Sequence, residues 1–309
     1  MRVLSFLGCI STAKASFSCK SDTGIDVGNW TILKFPQSTS YVYSTESQKS
    51  QYSLNDTING ALAQTIQQLW LPSINYALYN DEAPYVTSYN FSVAHAKAVL
   101  MWDTDTIIAL FHSIPKFPVG PEEASSYIGL LSNAWDYAQH IACVSLPIQN
   151  LGILTASLSA LTPYVYEGKL PAEPVNTEQS CQYIQIGPIS ERTLITKPQA
   201  YSVDIWETCV SQYFNTDIQV MSWIHGEMDG PSTNQTTTRT TTDISEIAYS
   251  FGISYKEYDN HAKWAIGSKP LVCVGDLNRV ETQKQRSGMA LCWEDYELWN
   301  SFHILVQPV

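Results

Sequence analysis

The chain has 309 residues, 44% of them hydrophobic, with 9 Trp, 18 Tyr and 9 Phe. That apolar mass suffices for one large domain or two ordinary ones and excludes a disordered, collagen-like or coiled-coil chain. Lys plus Arg is 17 and Asp plus Glu is 29, a net charge of −12, which excludes a basic coat protein for nucleic acid but not an enzyme with a local basic cleft.

From the N-terminus, Arg2, the apolar run Val3 to Ile10 and the Ala13-Lys14-Ala15 site predict a signal peptide over residues 1–15, cleaved before Ser16. Loss of Arg2 and Lys14 takes the charge from −12 to −14. No stretch is apolar for the roughly 18 residues that a membrane span needs. A strand is predicted over Asn29 to Phe35, then a helix over Asp56 to Trp70. That helix would be capped by Asn55 or Asp56, with Ile58, Leu62, Ile66 and Leu69 on one face. Strands at Ala98 to Trp102 and Ile107 to Phe111 precede a loop at Pro115 to Pro121 and a helix over Glu122 to Gln139. A strand at Ile141 to Leu146, a helix at Ile148 to Leu161, a loop at Pro171 to Pro174 and a helix at Ser202 to Phe214 come next. A strand at Ile218 to Trp223, an exposed Thr-rich loop at Thr233 to Asp243 and a strand at Leu271 to Gly275 complete the series. Strands alternating with helices predict α/β layers.

Six cysteines outlast the signal peptide: Cys19, Cys143, Cys181, Cys209, Cys273 and Cys292. An even number on the secretory route suits three disulfides, with fifteen pairings open. Sequons at Asn29, Asn55, Asn90 and Asn234 read as surface glycosylation sites. The expected location is secreted or lysosomal.

One repeat carries chemistry. His95-Ala96-Lys97 recurs 166 residues later as His261-Ala262-Lys263, each ahead of an apolar run and a second strand. Seventeen residues after each histidine stands a polar side chain, His112 or Asn278. A duplicated lobe is the economical reading, with lobe one over about 16–168 and lobe two over about 169–309. On an extended strand, residues two apart share a face, so each His projects with its Lys. Two such lobes around a pseudo-twofold axis would bring two imidazoles and two ammonium groups into one cleft. One His could attack phosphorus, the other protonate the leaving oxygen, and the lysines hold phosphate oxygens.

The paired His-x-Lys motifs resemble the phospholipase D superfamily, and the surrounding segments resemble deoxyribonuclease II. These are Cys19, Asn29-Trp30, Tyr79-Asn80-Asp81, Asp103, His112-Ser113-Ile114-Pro115-Lys116-Phe117-Pro118 and Cys143-Val144-Ser145. Beyond them come Asn260 to Trp264, Cys273 to Arg279, Gln285-Arg286-Ser287-Gly288 and Leu291-Cys292. The resemblance implies an α/β fold of two fused phospholipase-D-like lobes, each a mixed β-sheet flanked by helices. It implies an acid-active endonuclease that needs no divalent metal or other cofactor and leaves 3′-phosphate ends on DNA.

By the same resemblance, His95 and His261 are nucleophile and general acid, with superfamily habit giving the attack to the first copy. Lys97 and Lys263 bind the scissile phosphate, and His112, Asp276 and Asn278 support the site. It implies disulfides Cys19–Cys143 and Cys273–Cys292, leaving Cys181 to Cys209. Ala94, Ala96, Ala262 and Ser287 depart from the family pattern, which carries Gly, Thr, Ser and Gly there.

DNA is the expected partner, through backbone contacts. The segment Lys256 to Arg286, with six bases against four acids, is a cationic stretch in an acidic chain. A homodimer stays open. No Cys-x-x-Cys occurs, so no zinc site is expected. His140, His225 and His303 lack a partner pattern and read as ordinary surface or satisfied residues. Asp103 reads as a strand end. The rival function is a catalytically weak homologue that binds nucleic acid or a host protein; a second is a phospholipase on the same fold.

Overall fold

The computed structural model describes residues 16–45, 51–87, 92–131, 134–172, 179–187, 192–224, 232–233 and 239–306. The predicted signal peptide and the sequons at Asn90 and Asn234 lie outside them, as does His225.

Strands β1 (Cys19–Lys20) and β2 (Asp26–Val27) form a hairpin. The first sheet uses β3 (Asn29–Lys34), β4 (Ser40–Thr45), β5 (Gln51–Asp56), β6 (Asn75–Tyr79), β7 (Ala98–Trp102), β8 (Thr106–His112), β9 (Gln139–Pro147) and β10 (Val165–Gly168). Its order is β10-β6-β7-β8-β9-β3-β4-β5. The second takes β11 (Gln182–Gln185), β12 (Arg192–Lys197), β13 (Ile218–Met221), β14 (Ser232–Thr233) and β15 (Thr240–Asp243). After a small hairpin of β16 (Glu246–Ala248) and β17 (Ser254–Lys256) it adds β18 (Trp264–Gly267), β19 (Val272–Gly275) and β20 (Gly288–Trp293). Its order is β11-β12-β20-β19-β18-β13-β15-β14.

Period-two patterning decides what each face touches. On β7, Ala98, Leu100 and Trp102 enter a core shared with Trp264 and Ile266 of β18, Val272 and Val274 of β19 and Leu291 of β20. Val99 and Met101 point the other way, into a cluster with Leu62, Ile66 and Leu69. The inward faces of the two sheets thus make one apolar core, joined by Leu154 and Leu158 of α2 (Leu151–Ser159) and by Phe302 from a C-terminal helix (Tyr296–His303).

The structure joins Cys19 to Cys143, Cys181 to Cys209 and Cys273 to Cys292. The last pair are register partners on β19 and β20. No helix among the described residues is long and apolar enough to cross a membrane.

Four expectations are corrected. The first helix, α1, spans only Ala61–Ile66 and tightens into a 3₁₀ turn, Gln67–Trp70. Asp56 ends β5, and its carboxylate accepts the N–H groups of Ile58 and Asn59, closing a turn instead of capping a helix. Ile58 is therefore exposed. The described part of Glu122 to Gln139 is not helical: Gly129 takes φ +84°, and Gln139 begins β9. Its Tyr127, Leu130 and Ala134 pack inward at helical spacing while Ile128 and Trp135 face out, yet the described chain there is turn and irregular structure. The Thr-rich segment ends in strand β15, parallel to β13, with Thr241 wholly buried. Asn29, expected as a surface sequon, lies in β3 beside β9 and is 7% exposed.

Candidate active site

Both His-x-Lys motifs sit in irregular chain just ahead of β7 and β18, not within a strand, which corrects the strand placement expected from sequence. Their alternation nonetheless continues into those strands. Ala94, Ala96 and Ala262 face the inter-sheet core, fully or almost fully buried, and leave the adjacent His and Lys to the opposite side. These alanines stand at three of the four departures from the family pattern, and the core explains small apolar side chains there.

A cavity of about 290 Å³ is lined by His95, Lys97, His261, Lys263, Ser113, Asn278, Gln283, Trp223, Pro115 and Glu82. The two motifs thus share one cleft. Each is anchored by the other half of the molecule. The His95 N–H donates to the Ser287 carbonyl at 3.0 Å, and the His261 N–H donates to the Ala138 carbonyl at 2.8 Å. His140, buried behind the second motif, accepts the Lys263 N–H on Nδ1 at 3.2 Å.

In each half, the carbonyl of the motif lysine is bound by the end of the next hairpin strand. His112 N–H donates to Lys97 O at 3.2 Å, and Gly275 N–H to Lys263 O at 2.9 Å. The structural counterpart of His112 is therefore Gly275, because the second hairpin is three residues shorter. The equal sequence offset of His112 and Asn278 does not mark equivalent places. His112 lies beneath the cleft, its Nδ1 accepting from Ile114 N–H and its Nε2 buried with no hydrogen-bond partner among the described residues. Asn278 lines the cleft, and its Oδ1 accepts the Trp223 N–H at 3.1 Å.

Charge inside the site is uneven. Asp81, wholly buried, pairs with Lys97 and with Arg286 at 3.0 Å, and lies 3.9 Å from His95 Nε2. Burial alone would raise this carboxyl, but Lys97, His95 and Arg286 hold it well below the usual range. Burial and then Lys97 push His95 well below its ordinary value. His112 is lowered by burial and Lys97, and His140 falls to about 3 through burial and Lys263. His261 falls to about 3 through burial, Lys263 and Lys97. Burial and Lys97 bring Lys263 down to about 7, while burial raises Asp276 to about 7 against the opposing pull of Lys97 and Lys263. Asp276 accepts the Met289 N–H.

The arrangement offers two neutral imidazoles and a cluster of cations to an entering anion. A family model, Deoxyribonuclease II, matches residues 18–309. The chain belongs to the Deoxyribonuclease II family. It is 28% identical to cell-death-related nuclease 7 of Caenorhabditis elegans, over 99% of this chain and 91% of that protein. It is also 28% identical to human deoxyribonuclease-2-beta, over 98% and 94%, and 26% identical to rat deoxyribonuclease-2-alpha, over 94% and 93%.

Within this Deoxyribonuclease II fold, the structure brings together His95, Lys97, His261, Lys263 and Asn278, with His112 and Asp276 directly behind them. Sequence reasoning missed Asp81, Arg286, His140, Tyr137 and Trp223. Asp81 and Arg286 stood in segments that carry the resemblance, but no sequence pattern pairs them across 205 residues. His303 is exposed at the end of the C-terminal helix, stacked on Trp299, and Asp103 accepts two N–H groups in the β7–β8 turn, both as expected. Among the described residues, no three His, Cys, Asp or Glu side chains converge as a metal cage.

Proposed function

We propose that this deoxyribonuclease hydrolyses DNA phosphodiester bonds by histidine catalysis, without a divalent metal, at acid pH, leaving 3′-phosphate ends. The observation that carries the reading is the convergence of two His-x-Lys pairs, 166 residues apart in sequence, on one cleft.

One neutral imidazole attacks phosphorus. The N–P bond forms as the P–O5′ bond breaks, and the other histidine, as imidazolium, gives its proton to the departing 5′-oxygen. That histidine, now neutral, takes a proton from water, which attacks phosphorus and releases the 3′-phosphate end and the first histidine. Lys97 and Lys263 balance the charge on the phosphoryl oxygens, the task a metal ion performs elsewhere. Asp81 holds Lys97 from behind. The scissile phosphate brings the negative charge that lets one buried imidazole keep a proton.

Acid favours this chemistry twice. Burial brings Lys263 down to about 7 and raises Asp276 to about 7, so the cleft becomes more positive as pH falls below neutrality. The same acidification supplies the imidazolium proton. The expected profile is bell-shaped with a maximum at about pH 5 to 6, its limbs belonging to the coupled pair. The three disulfides support passage through an oxidising secretory route.

The test is plasmid nicking with chelator at pH 5 and pH 8, followed by end analysis. Chelator-resistant cleavage at pH 5, with 3′ ends that block a polymerase until phosphatase treatment, supports the reading. Cleavage that is maximal above neutrality and abolished by chelator overturns it, and binding without cleavage favours the rival of a catalytically weak homologue.

A further inference from the structure

No hydrogen bond among the described residues reaches the His261 ring, and its Nε2 is buried without a partner. A catalytic imidazole is ordinarily oriented by a hydrogen bond to its second nitrogen. Here the faces of the ring are held instead. Tyr137 stacks on His261 with ring centroids 3.9 Å apart and planes 7° from parallel, and Trp223 lies at 5.0 Å and 56°.

Tyr137 belongs to the other half of the molecule and is fastened there. Its neighbour Ala138 donates its N–H to Asp259 O at 2.8 Å and accepts the His261 N–H on its carbonyl, so that Ala138 bridges Asn260 in parallel. Two residues upstream, the Trp135 carbonyl accepts from the buried Lys34 ammonium at 3.1 Å and from Gln37 N–H at 2.9 Å. The chain is thus held on both sides of Tyr137, which sets its ring against His261.

We propose that Tyr137 is a positioning residue that sets the plane of the His261 imidazole and steadies its protonated form by stacking. This role rests on the histidine mechanism proposed for the cleft. The charged groups that act on His261 are Lys263 from its own segment and Lys97 from the first motif, both cationic and both opposing its protonation. A tyrosine face is the compensating element the geometry supplies, since a ring quadrupole attracts a cation lying against it. Whichever step His261 performs, loss of that face moves its limb of the pH profile to lower pH.

The experiment uses the full chain, with DNA as substrate. Tyr137→Leu should lower kcat by about 10- to 100-fold with KM changed less than about threefold, as expected for a misplaced reacting group. It should also shift one limb of the pH profile down by roughly half to one unit. Tyr137→Phe keeps the ring and should stay within about twofold of wild type with an unshifted profile. In wild type, the His261 carbon-bound protons should resonate upfield from the Tyr137 ring current, a reading that does not depend on the Leu variant folding. An equal loss in Tyr137→Phe and Tyr137→Leu, an unshifted profile in Tyr137→Leu, or a His261 resonance without the upfield displacement overturns the proposal. Full activity in His261→Ala would instead remove the histidine mechanism itself.

Discussion

His95 is 6% exposed and lies beside the Asp81 carboxylate, whereas His261 is half-buried, ring-stacked, and has no carboxylate within ion-pair distance among the described residues. The lysines differ in the same sense. Lys97 is neutralised directly by Asp81, while Lys263 donates to the His261 carbonyl and is brought to about 7 by burial and by Lys97. Two copies of one tripeptide therefore sit in unlike surroundings: the first is paired with a buried carboxylate, and the second is stacked on an aromatic ring with its lysine brought down to about 7. A duplicated motif can build an asymmetric catalyst when the shells around the two copies diverge.

The largest effect expected belongs to the histidines. His95→Ala and His261→Ala should each lower kcat by about 10³-fold or more, because in the proposed mechanism nucleophile and acid act as a unit. A variant within tenfold of wild type would confine the chemistry to one copy. Loss of Asp81 comes next. Asp81→Asn leaves Lys97 and Arg286 buried without their counter-charge and should destabilise the fold by about 3–5 kcal/mol, read as a lowered melting temperature and denaturation midpoint. Unchanged stability would show that the first motif needs no compensation.

Asp276→Asn should do less and in a pH-dependent way. At pH 5 the native carboxyl is already neutral, so activity should stay within about threefold; at pH 8 the variant should outperform wild type, because the inhibitory carboxylate is gone. A variant equally impaired at both pH values would reassign Asp276 to a structural role.

The smallest effect concerns the unliganded protein. His95, His112, His140 and His261 are all lowered by burial first, so their folded values lie below the unfolded value near 6.5. Their contribution is present above about pH 6.5 and is lost as pH falls toward the folded values. Asp276 and Glu167, both raised by burial, run the other way, the Asp276 contribution being full at low pH and lost as pH rises through about 7, but they are two groups against four. The melting temperature should fall between pH 6.5 and pH 4, and added inorganic phosphate should restore more of it at pH 4.5 than at pH 8. Phosphate protection that is equal at both values would separate anion binding from these titrations.

The sequence revealed most of the sheet framework because its strands are local and strongly patterned. β7, β8 and β9 fall where β-branched and aromatic runs predict them. The Glu122 to Gln139 segment misled because Tyr127, Leu130 and Ala134 fall at helical spacing although Gly129 takes φ +84° and Gln139 joins β9, and β15 was missed because its register depends on β13, some twenty residues away. The histidines and lysines that converge on the cleft were legible through the repeat itself. Their supports were not: Arg286 reaches Asp81 across 205 residues and His140 reaches Lys263 across 123, contacts that no periodicity encodes. The seventeen-residue coincidence of His112 and Asn278 shows the opposite error, an exact sequence offset without structural equivalence.

Single-turnover trapping tests the histidine mechanism most directly. DNA labelled upstream of the cut is mixed with excess enzyme in chelator at pH 5, quenched in base to preserve a phosphoramidate, and the labelled peptide is mapped. The mechanism predicts one adduct per chain, carried on His95 or His261, formed and then released as a 3′-phosphate end, and absent from the variant lacking that histidine. Chelator-sensitive cleavage with no histidine adduct would contradict it.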